Sequence, residues 1–160
     1  MGTMALAKAL QNDKAVKHLI LTQNQITHFA AAGLSDLLKV NHEIGWLVLS
    51  TNKLADAGIS TIGQGIKYNK GLKHVVADNN EISDMGAISI AESLEGHPNI
   101  ESLVLANNHI GSSAVQSFTK LIQTTPSLKK LDLRHNKLNA DDKINLQKAL
   151  QNRPGFILHL

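Results

Sequence analysis

Two hydrophobic rhythms alternate along the chain. The first is an eleven-residue motif with apolar residues at positions one, four, six and eleven and asparagine at position nine. It runs Val16 to Ile26, Ile44 to Leu54, Leu72 to Ile82, Ile100 to Ile110 and Leu128 to Leu138, and each copy starts 28 residues after the last. Positions four and six alternate with polar or variable ones, as Leu103 and Leu105 do, which predicts a short strand with one face turned inward. The second rhythm has helical spacing: Ala87, Ile90, Ala91 and Leu94 share one face, and the same step picks out Ile59, Ile62, Gly63 and Ile66, then Val115, Phe118, Thr119 and Ile122. One helical column stays small (Ala7, Ser35, Gly63, Ala91, Thr119) until Gln147, which predicts a close approach of helix and strand there.

One strand and one helix per repeat cannot bury their apolar sides alone, so the repeats must stack. The expected architecture is α/β: a continuous core between a parallel sheet and a row of helices. Strands lie about 4.8 Å apart and helices about 10 Å apart, which bends the stack and puts the sheet on the concave side. Asn24, Asn52, Asn80, Asn108 and Asn136 hold the ninth position throughout. A carboxamide carries donors and an acceptor, and at the turn after each strand it is placed to satisfy backbone groups of its own and the neighbouring repeat.

These motifs resemble the ribonuclease-inhibitor-like class of leucine-rich repeats over nearly the whole chain. The resemblance implies a leucine-rich-repeat solenoid, a right-handed α/β horseshoe segment, that acts by binding a protein. Similar arrays occur in innate-immune receptors, GTPase-activating proteins and effectors that bacteria inject into host cells, which leaves GTPase regulation or substrate recognition by an effector as alternative functions.

One domain spanning 1–160 is expected. At its start, residues 4–15 read as the helix of a half-repeat, and Met1 to Met4 look like a cloning remnant. At its end, 156–160 reads as a partial strand. Keeping the 28-residue step puts Phe156 at position one and turns His159 inward, whereas a slip to Gly155 turns Leu158 and Leu160 inward and is preferred. Either register leaves an open strand edge, so the chain is expected to be a monomer, an edge-paired dimer or a fragment of a longer protein.

Positions three, five and seven should face a partner. Position three reads His18, Trp46, His74, Ser102 and Lys130; position five, Ile20, Val48, Val76, Val104 and Asp132; position seven, Thr22, Ser50, Asp78, Ala106 and Arg134. Four β-branched aliphatics in a row beside the sole tryptophan form an apolar stripe of the kind that marks interaction surfaces, although such residues also simply favour strands. The expected partner-binding residues are Trp46, Val48, His74, Val76, Asp78, Val104, Lys130, Asp132 and Arg134, with the charged end suiting a partner whose apolar patch adjoins an acidic one.

Composition narrows the setting. Aromatic residues are 3% of the chain, and there is no cysteine and no Asn-x-Ser/Thr sequence, which predicts a reducing cytosol, including a host cell's for a secreted effector. No apolar stretch is long enough for a membrane span. Sixteen basic residues against thirteen acidic ones are a mild and dispersed excess, without the aromatic platforms of a nucleic-acid site. No catalytic residue, metal site or cofactor is expected. His18 and His74 lie two strands apart, Asp132 and His135 lack a companion serine, Gly63-Gln64-Gly65 sits within a helix, and Asp141 with Asp142 suits a helix cap.

Overall fold

The computed structural model describes residues 2–160. Six strands form one parallel sheet in sequential order: β1 His18–Ile20, β2 Trp46–Val48, β3 His74–Val76, β4 Ser102–Val104, β5 Lys130–Asp132 and β6 Ile157–His159. The first five cover positions three to five of each motif, and adjacent strands pair with those positions aligned, His18 with Trp46 and Trp46 with His74. Six helices alternate with them: α1 Gly2–Leu10, α2 His28–Val40, α3 Ala55–Ile66, α4 Asp84–Leu94, α5 Val115–Thr124 and α6 Ala140–Lys148. A short 3₁₀ turn, Ser112–Ala114, leads into α5. Motif positions one, four, six and eleven point into a continuous core with the helices' apolar faces, and Phe118 is its largest fully buried side chain.

The N-terminal helix differs from the expected 4–15, whereas the last strand takes the preferred register that starts from Gly155. Helix α1 takes in Gly2 to Met4 and stops at Leu10, because Asp13 turns the chain by accepting hydrogen bonds from the Ala15 and Val16 amides. At the other end Lys130, Leu131 and Asp132 pair with Ile157, Leu158 and His159, one residue short of the 28-residue step. Leu158 therefore lies opposite Leu131. The last helix is capped by Asn139 and Asp142, whose side chains and backbone amides bond reciprocally, while Asp141 stays exposed.

Two ladders of polar side chains tie the repeats together. In the first, Asn52 accepts from the Asn24 and Ile26 amides at 3.0 and 2.9 Å and donates to the Leu21 and Leu49 carbonyls. Asn108 accepts from the Asn80 and Ile82 amides and donates to Ala77 and Leu105. Asn80 and Asn136 likewise reach back to Leu49 and Leu105. The Asn24 side chain donates only locally, to the Thr22 carbonyl, and the residue remains exposed.

The second ladder lies at the opposite turns, where each helix leads into the next strand: Asp13, Asn41, Asn69, His97, Thr125 and Arg153, again 28 residues apart. Asn69 donates to the Leu38 and Asn41 carbonyls and accepts from the Gly71 and Leu72 amides. His97 does the same work with a ring. Its Nε2 lies 2.7 Å from the Asn69 carbonyl and its Nδ1 accepts from the Asn99 and Ile100 amides, an arrangement only the neutral Nε2–H tautomer satisfies. Burial holds the His97 pKa below the usual histidine value, against the opposing effect of the Asn69 carbonyl.

The small helical column marks an approach of helix to helix rather than of helix to strand. A Cβ at Gly63 would lie 2.6 Å from Ser93 Oγ on α4, and one at Gly65 would lie 2.5 Å from the Ser35 carbonyl on α2. That approach seals Ser35, which is 2% exposed and whose hydroxyl has no hydrogen-bond partner. Replacing Ser35 with Ala removes an unsatisfied buried hydroxyl at almost no loss of volume. The variant should be more stable by about 1 kcal/mol in urea unfolding; a loss of stability would show that the hydroxyl has a partner in solution.

Candidate interaction face

The sheet face turned away from the helices presents motif positions three, five and seven. Its exposed large apolar groups are Ile20 on β1 and Trp46 on β2, 65% and 41% exposed, and Ile157 at the opposite edge on β6. Two histidines hold the Trp46 indole. His74 stacks on it with ring centroids 3.8 Å apart and planes tilted by 28°, and His18 meets it edge-on at 5.7 Å. These contacts follow from register: parallel pairing places His18, Trp46 and His74 side by side on adjacent strands. The rings that looked too far apart to share an ion instead fix the orientation of the indole between them. Burial beside the indole lowers the His74 pKa, with Glu101 opposing and Lys73 and Lys129 adding to the effect, which favours neutral imidazole.

Val48, Val76 and Val104 continue the row in register but are only half-buried, less open than a fully exposed stripe, because strands this close shield one another's side chains. Asp78 is half-buried as well and accepts from Ser50 Oγ at 2.6 Å and Asn79 Nδ2 at 3.1 Å.

At the β5 end the expectation of an exposed acid fails. Asp132 is 2% exposed, so it is a buried anchor rather than a contact residue. Arg134 folds over it with two hydrogen bonds, Nε to Oδ1 at 3.0 Å and Nη2 to Oδ2 at 2.6 Å, and His159 Nδ1 lies 3.4 Å from Oδ2. Burial alone would raise the Asp132 pKa. The side-chain and backbone hydrogen bonds from Arg134, joined by His159, outweigh it and hold the carboxyl at about 2. Arg134 remains half exposed, yet the guanidinium that a GTPase regulator would present to a phosphate already grips Asp132. Lys130 is half-buried and enters none of the ion pairs among the described residues.

The five asparagines of the ninth position lie after the strands, beside this face, and their bonds are structural. Sequence reasoning missed the buried Asp132–Arg134 pair and the His18–Trp46–His74 stack; the histidines flanking Trp46 at 28-residue spacing were the available signal for the second. Among the described residues no helix is long and apolar enough to cross a membrane, and no three His, Asp or Glu residues converge as a metal site would need.

Parallel strands alternating with helices at a fixed 28-residue step, tied by an asparagine ladder, define a leucine-rich-repeat solenoid. A family model described as Leucine Rich repeat matches residues 96–118 and 125–142. The solved structure of leiomodin-1 actin-binding site 2 is similar with a TM-score of 0.75 and 19% sequence identity, covering 93% of this chain and 86% of that one, a likeness of fold. No curated protein matches the chain by sequence.

Proposed function

We propose that the chain is a protein-binding module that engages its partner on the concave sheet face, with Trp46 at the centre of the contact. The observation that carries this reading is the state of the indole: a large aromatic group 41% exposed on a rigid sheet, already held by two rings. A pre-oriented aromatic loses little conformational freedom on binding, and such groups dominate protein interfaces. The apolar row through Ile20, Val48 and Val76 extends the contact along neighbouring strands. A protein whose name records actin binding shares the fold, in keeping with a protein partner.

Affinity capture from lysate, comparing the intact chain with a Trp46→Ala, Val76→Asp double variant, tests the proposal. A specific partner should be recovered with the intact chain and lost with the variant, whose melting temperature should fall by no more than about 5 °C because both positions lie outside the core. Undiminished recovery with a folded double variant would place the contact elsewhere.

A further inference from the structure

We infer that the concave face selects an acidic group on its partner through Lys129 and Lys130, and that the docking point is the depression between Trp46 and these lysines. The inference rests on the concave-face reading and adds the chemistry of the occupant. The depression encloses about 320 Å³. Trp46, Val76 and Val104 supply its apolar side, and Lys129, Lys130 and Glu101 stand on its polar side.

The charge in this wall is unbalanced in one direction. Glu101 is the one carboxylate there, and it is divided between Lys129 at 3.0 Å and Lys73 at 3.8 Å. Those ammonium groups hold the Glu101 pKa below its ordinary value, so it stays ionised and can neutralise only one of its two neighbours. Lys130 adds a third positive charge with no partner of its own. His74, kept toward the neutral form by burial, contributes stacking rather than charge near neutral pH.

Arg134 does not share this role, because its guanidinium is consumed by Asp132. The acid-selecting cations therefore sit at positions two and three of the fifth motif rather than at its seventh. An apolar pocket floor next to the unpaired Lys130 ammonium, with Lys129 sharing its one carboxylate with Lys73, fits an aromatic or aliphatic side chain followed directly by a carboxylate. The apolar contact provides most of the attraction, and the charge provides the choice between a carboxylate and its neutral isostere.

The test uses two probes that differ in one group, N-acetyl-Phe-Asp-amide and N-acetyl-Phe-Asn-amide, titrated into the full chain. Binding is read from the indole N–H resonance, which is unambiguous because the chain has one tryptophan. The aspartyl probe should shift this signal and bind about tenfold more tightly than the asparaginyl probe at low salt, with the advantage shrinking as salt is added. In a Lys130→Glu variant that melts like the wild type, the aspartyl probe should lose that advantage.

Equal binding of the two probes, an unchanged preference in Lys130→Glu, or no indole shift at millimolar probe would each overturn the inference. These results are separable from failure of the broader proposal. Partner capture that depends on Trp46 would leave the face in place without its acid selectivity, whereas capture indifferent to Trp46 would remove the face itself.

Discussion

Asn108→Ala should cost the fold about 3–5 kcal/mol, the largest single effect expected from a polar residue, since each buried group it orphans costs about 1–3 kcal/mol. Its carboxamide oxygen holds the Asn80 and Ile82 amides at 3.0 Å each, and its nitrogen serves the Ala77 and Leu105 carbonyls at 3.1 and 3.0 Å. Alanine would strand three of these groups, the Asn80 and Ile82 amides and the Ala77 carbonyl, in an interior that water does not reach, Asn108 being 4% exposed, while the Leu105 carbonyl keeps its bond from Asn136. The contrast with the first rung is the diagnostic part. Asn24 is exposed and makes one local bond, so Asn24→Ala should shift stability by less than about 0.5 kcal/mol. Urea unfolding of the two variants side by side measures the difference; equal losses would mean that the ladder is not what joins the repeats.

The second large effect is expected at the other end of the sheet. Arg134→Ala leaves the Asp132 carboxylate, with its side chain 3% exposed, without its main counter-charge. Arg134→Ala should therefore unfold at a clearly lower urea concentration than the wild type, by less than the loss of a fully enclosed pair would cause because the guanidinium is half exposed to solvent. Removing both partners tells more than removing one. The equivalent position in the preceding repeats is Ile20, Val48, Val76 and Val104, so Asp132→Val combined with Arg134→Ala restores the pattern of its neighbours. That double variant should return to within about 1 kcal/mol of the wild type.

Acid titration supplies an independent reading of the same pair. The folded-state pKa of Asp132 is depressed from 3.8 to about 2, so its stabilisation is present above 3.8 and is lost as pH falls toward 2. The double variant should lack that component of acid destabilisation. If Arg134→Ala unfolds at the wild-type urea concentration, the pair is a surface contact of no consequence.

Much of this structure is legible in the chain because the repeat is strict. Every strand from β1 to β5 begins at the third position of a motif, and the fully buried Leu47, Val75, Leu103 and Leu131 are all fourth positions. The ladder of ninth-position asparagines is equally visible, being one residue type at one spacing. The ladder at the opposite turns is not, since Asp13, Asn41, Asn69, His97, Thr125 and Arg153 share a geometry but no chemical identity. What they have in common is a polar group able to reach the backbone. Writing the chain in columns of 28 exposes an unbroken polar column three residues before each motif.

Strand alternation gives the positions on the outer sheet face but not how exposed each one is. Alternation places Asp132 on the sheet face, where it is, but says nothing about what lies over it. Its burial arises from Arg134, two residues further on, folding back, and from His159 arriving on a neighbouring strand whose register departs from the period. The stacking of His74 on Trp46 likewise needs strand register and ring orientation together.

The turn ladder also gives the stack a direction, with consequences for how it can be rebuilt. Asp13 only accepts, Arg153 only donates to carbonyls of the preceding turn, and Asn41, Asn69 and His97 do both. A 28-residue block cut between two of the turns at Asn41, Asn69 and His97 carries a residue that passes the hydrogen-bond polarity on unchanged, so duplicating it lengthens the array without orphaning a backbone group. Arginine moved into an inner turn would leave the amides there without an acceptor, and aspartate would leave the preceding carbonyls without a donor. The repeats bounded by Asn41, Asn69 and His97 are interchangeable parts; the turn at Thr125, whose hydroxyl donates to the Leu94 carbonyl and accepts from the Gly96 amide, both of the preceding turn, is not.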